Sequence, residues 1–114
     1  MRRPGRRAAA VGLAVVGVGL AGAGTACAVR RPRVHAVAMR NFGFDPAVVT
    51  VAVGDTIVWT NADFVPHTST ARDSTWDSKT IPADSAWRFV ARAPGRHVYY
   101  CVFHPNMQGT VEVR

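Results

Sequence analysis

A cysteine, a histidine and a methionine stand three residues apart in the segment CVFHPNM, residues 101–107 of this 114-residue chain. A thiolate, an imidazole and a thioether suit a soft metal ion. Two histidines and a cysteine around a metal, with a weak axial methionine, form a set that binds copper. Cys101, His104 and Met107 would supply three of these four ligands, so the segment predicts most of a metal centre.

The second histidine of such a set must come from elsewhere in the chain. His67, in the segment NADFVPHTST, follows a predicted strand and a proline and is the candidate. His97 lies four residues before Cys101 on one predicted strand, roughly 13 Å away at about 3.3 Å per residue. Metal–nitrogen bonds of about 2 Å exclude it from the same ion. His35 opens the first predicted strand and is expected at the surface.

Simpler interpretations of the segment remain open on residue types alone. A lone cysteine is often a small buried hydrophobe, and a methionine often fills a gap in a core. Zinc is another interpretation, but it prefers cysteine, histidine and carboxylate ligands and would leave Met107 unused. Pro105 and Asn106 favour a turn, which would let the chain fold back and present Met107 to a metal.

The elements that must position these residues are short strands. From residue 34 onward, runs of β-branched and aromatic residues alternate with Gly, Pro, Asn and Asp, and no run has a helical period. This pattern predicts an all-β domain, a small sandwich or barrel of about seven or eight strands. The predicted strands are Val34–Met39, Val48–Val53, Thr56–Thr60, Thr68–Ala71, Ala86–Ala91, His97–Val102 and Gly109–Val113.

The N-terminus has the pattern of an export signal. Four arginines precede an apolar run of Ala, Gly and Val, so residues 1–29 are predicted to be a signal, 30–33 a short basic linker and 34–114 the domain. Three outcomes are open for the signal. The segment GTAC resembles a bacterial lipobox with Cys27 as the lipidated residue, cleavage could follow Ala26 or Ala28, and the apolar run could remain as a membrane anchor.

Charge and cysteine content narrow the function. The net charge of +7 arises before residue 34, mostly in the leader, because the seven basic residues from residue 34 onward match the seven acidic ones. The domain contains no basic run interleaved with aromatic residues, so its sequence does not predict a nucleic-acid partner. If Cys27 is removed or lipidated, Cys101 has no disulfide partner, and an exported free thiol is prone to oxidation. Metal ligation would protect it.

Two long segments, FGFDPAVVTVAVGDTIVWTNADFVPHTST and APGRHVYYCVFHPNMQGTVEV, together resemble the cupredoxin family. Within that family the chain is similar to the plastocyanin/amicyanin group, and its short Cys-x-x-His-x-x-Met spacing resembles amicyanin. The resemblance covers most of residues 41–114. It implies a Greek-key β-sandwich and one type 1 (blue) copper ion with His67, Cys101, His104 and Met107 as ligands.

The resemblance also implies roles for residues near the ligands. The backbone N–H of Thr68 is expected to donate to the Cys101 sulfur, which would stabilise a thiolate. Relatives often carry proline at the position of Phe103, and proline has no N–H to donate. Phe103 could therefore give a second N–H···S bond and raise the reduction potential. His97 departs from the family pattern, which usually has an aromatic residue there.

The function implied is that of an exported one-electron carrier, a monomer cycling between Cu(I) and Cu(II), not an enzyme, and serving redox partner proteins. It would be periplasmic or otherwise extracytoplasmic, diffusible or tethered through its N-terminus or a lipidated Cys27. His104, Phe103, Pro105 and Phe64 are expected to form its electron port and docking surface.

Two functions other than electron carriage are also considered from the sequence. The alternative is a copper-binding module for storage, delivery or sensing, since the same four ligands would serve it. A fragment of an oxidase or nitrite reductase would need further copper centres, for which only His35 and His97 remain.

Overall fold

The computed structural model describes Gly5, residues 9–19, Gly22 and residues 29–114. Residues 9–19 have no regular secondary structure. The candidate lipidation site Cys27 and the candidate cleavage sites at Ala26 and Ala28 lie outside the described residues. Within the described residues, no helix is both long and apolar enough to cross a membrane.

In the described part of the chain, eight strands form two four-stranded sheets, which confirms the predicted all-β sandwich. One sheet has the order β2-β1-β4-β6 and the other β3-β8-β7-β5, so strands distant in sequence lie side by side as in a Greek key. The strands are β1 (Val34–Arg40), β2 (Gly43–Asp45), β3 (Val48–Val51), β4 (Thr56–Asn61), β5 (Thr70–Ala71), β6 (Ala86–Val90), β7 (Gly95–Cys101) and β8 (His104–Val113).

The core lies between the inner faces of the two sheets. Along β4 and β7 every second residue is buried, as the two-residue period of a strand requires. Trp59 of β4 is fully buried, with its ring centroid 5.4 Å from that of Tyr99 and 5.8 Å from that of Trp76. The contact of Trp59 on β4 with Tyr99 on β7 joins the two sheets close to the C-terminal end of β7.

Strand β8 begins earlier than predicted. Cys101 pairs with His104, but the preceding Tyr100 pairs with Gln108, so residues 105–107 of β8 face no partner on β7. This bulge replaces the predicted loop, and Met107, at its end, is buried. Strand β2 was not predicted, because it has three residues and ends at the turn-forming pair Asp45-Pro46.

Residues 30–33, predicted to be a linker, contact the domain at Asp55. The fully buried Asp55 carboxylate accepts two bonds from the Arg30 guanidinium, at 2.8 and 2.9 Å, and one from the Arg33 N–H at 2.9 Å. His35, expected at the surface, is half-buried with its Nε2 2.8 Å from the same carboxylate. The bonds from Arg30 have the largest effect, and together with these other donors they hold the pKa of Asp55 well below its usual range. We call this group of residues the N-terminal clasp.

Gly109 of β8 pairs with Tyr99 of β7, and a Cβ atom at Gly109 would lie 2.6 Å from the Tyr99 ring. Because Tyr99 is fully buried, the ring has no free space to move into. We expect Gly109→Ala to lower the free energy of unfolding by about 1–3 kcal/mol, measured by urea denaturation. In the control Gly43→Ala the nearest atom would be an ordinary 3.6 Å away. Equal losses in both variants would contradict this account.

Candidate metal centre

Three of the four predicted ligands come together at one end of the sandwich. The Cys101 Sγ lies 3.6 Å from His67 Nδ1 and 3.8 Å from His104 Nδ1, and the three ligand atoms all lie within 4.8 Å of one another. Cys101 and His67 are fully buried, whereas His104 is half-buried. Met107 is 2% exposed on the adjoining bulge of β8. In the described part of the chain no other group of three such ligands occurs.

The spacing of these atoms fits a single metal ion. Bonds of about 2.3 Å to sulfur and about 2.0 Å to nitrogen, meeting at roughly 120°, place the two ligand atoms about 3.7 Å apart. The observed separations of 3.6 and 3.8 Å lie on either side of this value. A thiolate with two imidazole nitrogens in such a trigonal arrangement is a set suited to copper.

The side chain of Asn61 shapes the loop that carries His67. Its Oδ1 accepts from the Asp63 N–H at 3.0 Å, and its Nδ2 donates to the carbonyl oxygens of Val65 and Ile81 at 2.8 and 3.0 Å. The backbones of His67 and Ile81 exchange two further bonds. This buried amide therefore determines where β4 ends and where His67 lies.

Thr68 links that loop to the turn after β7. Its N–H lies 3.3 Å from Cys101 Sγ, which is the contact predicted from the sequence, and its hydroxyl accepts from the Val102 N–H at 3.0 Å. The second N–H···S bond, expected from Phe103, is not formed within the described residues. Phe103 lies in the two-residue turn between the paired Cys101 and His104.

Asp63 was not identified from the sequence, yet it contacts His67. Its Oδ2 lies 2.7 Å from His67 Nε2 and 3.0 Å from the Phe42 nitrogen, and its Oδ1 lies 2.7 Å from the Asn41 nitrogen. Burial would raise the pKa of the Asp63 carboxyl, but these hydrogen bonds outweigh it and lower the pKa. An ionised carboxylate only accepts, so His67 Nε2 carries the proton and Nδ1 is left free to bind metal.

Phe42 is the other residue missed. Its ring centroid lies 5.6 Å from that of His67 and 4.9 Å from that of His104, in edge-to-face contact with both. Two features of the sequence could have revealed the pair. Asn41, a residue type common in turns, follows the first predicted strand, and Asp63 lies four residues before a ligand-type histidine.

The predicted electron port is exposed in the structure. Phe64 is 86% exposed, Phe103 is 49% exposed and Pro105 is exposed. His104, which lies between Phe103 and Pro105 in the chain, is half-buried. Phe42 is 46% exposed and joins this set through its contact with His104.

His97 has partners of its own. Its Nδ1 lies 2.5 Å from the Asp73 carboxylate and its Nε2 lies 2.9 Å from the Ala93 carbonyl oxygen. Burial would lower the pKa of His97, but the bonds to Ala93 and Asp73 raise it above its ordinary value. Because both ring nitrogens face acceptors, the imidazolium form satisfies both bonds. Hydrogen bonds from Thr75, together with His97, lower the pKa of Asp73 to about 2.

Comparisons with known proteins agree with this geometry. A family model described as a cupredoxin-like domain matches residues 12–113. Amicyanin from Paracoccus versutus is 27% identical over 70 residues, which cover 57% of this chain and 53% of that protein. The match therefore spans about half the length of this curated relative.

Solved structures share the fold. A purple cupredoxin from Nitrosopumilus maritimus is 26% identical, with a TM-score of 0.66 over 70% of this chain and 99% of its own. A reduced amicyanin mutant is 24% identical, with a TM-score of 0.66 over 71% of this chain and 82% of its own. A copper-containing nitrite reductase from Thermus scotoductus is 24% identical, with a TM-score of 0.68 over 75% of this chain and 23% of its own.

Replacing Asn61 with alanine should loosen the loop that carries His67. Asn61→Ala leaves the Asp63 N–H and the Val65 carbonyl without a partner and removes one of the two donors to the Ile81 carbonyl. We expect a loss of about 2–3 kcal/mol in the free energy of unfolding. Urea denaturation measures it. The same change at the exposed Asn106 should alter stability by less than about 0.5 kcal/mol, and a similar loss in both would refute the role of Asn61.

The ion pair of His97 and Asp73 should make stability depend on pH. The raised pKa of His97 gives a contribution present below its ordinary value of 6.5 and lost as the pH rises through the folded value. The lowered pKa of Asp73 gives one present above its ordinary value of 3.8 and lost as the pH falls towards 2. The stability difference between wild type and Asp73→Asn should thus be largest between these limits. A difference that does not vary with pH would contradict the pairing.

Proposed function

Because the chain belongs to the cupredoxin-like domain family, we propose that it is a type 1 copper protein that carries single electrons between redox partner proteins. His67, Cys101, His104 and Met107 would hold the copper through a thiolate, two imidazoles and a thioether. The observation that carries the proposal is the buried Cys101 sulfur, placed 3.6 and 3.8 Å from two imidazole nitrogens as one trigonal ion requires.

Bound copper would supply a centre that alternates between Cu(I) and Cu(II). The chain contributes a scaffold in which little has to move when that charge changes. Cys101 is fully buried on β7, Asn61 fixes the loop of His67, and the N–H of Thr68 points at the sulfur. That N–H stabilises negative charge on the sulfur, and such contacts tune the potential of a metal centre.

The exposed residues around His104 form the proposed port for electrons. Phe64 lies three residues before His67, and Phe103 and Pro105 flank His104, so these exposed apolar residues neighbour the ligands in the chain. Phe42 adds apolar surface through its ring contact with His104. A partner that docks and leaves quickly needs a small contact, below about 1,200 Å² in total. The near-neutral domain favours recognition by this apolar patch over steering by a field of one sign.

A carrier is favoured over an enzyme by the positions of the remaining histidines. A second copper centre here would have to use His35 and His97. His35 contacts Asp55 and His97 contacts Asp73 and Ala93, at the positions described above.

The leader supports export to the periplasm or another extracytoplasmic compartment, with the domain either released or tethered through its N-terminus or a lipidated Cys27. We propose a monomer that binds no nucleic acid, since the basic excess lies before residue 34.

Titration of the purified chain with Cu(II) tests the copper site. We expect an intense visible thiolate-to-copper charge-transfer band that saturates at one equivalent. The band should be lost in Cys101→Ala and kept in Cys27→Ala, which removes the other cysteine. A folded, copper-loaded protein without the band would overturn the proposal.

Electron carriage can be separated from copper storage or delivery by two rates. The rate of electron self-exchange between the reduced and oxidised protein should be fast, and transfer of Cu(I) to a chelator should be slow. Rapid loss of copper combined with slow self-exchange would favour the storage or delivery function instead.

A further inference from the structure

We propose that Asp63 and Phe42 form a brace that holds both imidazoles of the metal centre in their binding orientation before metal enters. Asp63 would act on His67 by a hydrogen bond and Phe42 on both His67 and His104 by ring contacts. The inference deepens the proposed function and rests on it, because it concerns how the same site is prepared for copper.

The Asp63 side chain meets three donors with two oxygens. Oδ1 accepts from the Asn41 N–H, while Oδ2 accepts from both the Phe42 N–H and His67 Nε2. A carboxylate has acceptor sites on both oxygens, so it satisfies all three donors. An asparagine at this position would offer one oxygen and turn an NH₂ group towards at least one of these donors. Aspartate therefore satisfies all three donors, whereas asparagine would not.

The turn that these bonds hold is conformationally unfavourable. Asn41 and Phe42 have φ values of 51° and 55°, in the left-handed region that a bulky residue such as Phe42 rarely adopts. Such a backbone persists when its surroundings hold it in place. The two amides of this turn bond to the same carboxylate that orients His67. The position of the Phe42 ring and the orientation of His67 are thus coupled through Asp63.

Phe42 holds the orientation of the His104 imidazole by a ring contact, as Asp63 holds that of His67 by a hydrogen bond. Within the described residues His104 makes no ion pair, whereas each of the other three histidines pairs with an aspartate. The ring neighbours of His104 are Phe42, at 4.9 Å, and His67, at 5.2 Å. Removing the Phe42 ring would leave His104 with one aromatic neighbour, and its half-buried imidazole could turn away from the sulfur.

The metal-free protein gives a direct test of the Asp63 half. Nitrogen-15 NMR of the imidazoles, at a pH where they are neutral, should show His67 as a single tautomer protonated at Nε2. In Asp63→Asn we expect a mixture of tautomers, and about 10–100-fold weaker binding of Cu(I) in competition with a chelator. The control Asp77→Asn alters an exposed carboxylate bonded to Lys79 and should change neither.

Phe42 is tested by a second set of variants that leave the carboxylate in place. In Phe42→Ala, His67 should keep its tautomer, while the His104 ring signals should broaden or shift and Cu(I) binding should weaken. Phe42→Tyr, which keeps the ring, should restore both. Val53→Ala changes a similarly exposed apolar residue near the opposite end of the fold and is the control.

A single Nε2-protonated His67 and unchanged Cu(I) affinity in a folded Asp63→Asn protein would overturn the role of Asp63. Unchanged His104 signals and affinity in Phe42→Ala would overturn the role of Phe42. Neither result would contradict the copper site, which is tested by the charge-transfer band of the wild-type protein. Absence of that band in wild type would instead refute the copper site itself, while the tautomer measured without metal would remain interpretable.

Discussion

Two hydrogen bonds made by Thr68 join the parts of the chain on which the candidate site depends. The N–H of Thr68 reaches the Cys101 sulfur, and its hydroxyl accepts from the Val102 amide, across more than thirty residues of sequence. This link extends the pairing of Thr70 with Tyr100, which joins β5 to β7. With it, a backbone donor and two imidazoles converge on one buried sulfur. The two sheets and the bulge in β8 serve to keep that convergence in place.

Aspartates orient three of the four histidines, each for a different purpose. Asp55 with His35 secures the start of the domain, Asp73 with His97 secures the segment after β5, and Asp63 prepares His67. A carboxylate accepts a hydrogen bond from the ring nitrogen that faces it, so each pair also determines which nitrogen acts as the donor. His104 has aromatic neighbours in place of a carboxylate and is the histidine nearest the exposed apolar residues.

Strand alternation and turn residues predicted the sandwich well, because burial of one face imposes a period of two whatever the tertiary contacts. Residue types and spacing, together with the family resemblance, led to His67, Cys101, His104 and Met107. The features missed depend on register or long-range contacts. The bulge at residues 105–107 arises from pairing across β7 and β8, and the contacts of Asp63 and Arg30 join segments more than twenty residues apart. A periodic pattern has no information on such pairings.

The N-terminal clasp gives the domain a direction. Asp55 immediately precedes β4, and six residues along that strand, about 20 Å at the usual rise, separate it from Asn61 and the loop of His67. The polypeptide before Arg30 thus joins the domain at the end opposite the ligands. A membrane, a lipid or a fused protein attached upstream would hold the domain by its far end. The face with His104 and its apolar neighbours would then point away from the attachment, where a soluble partner can reach it.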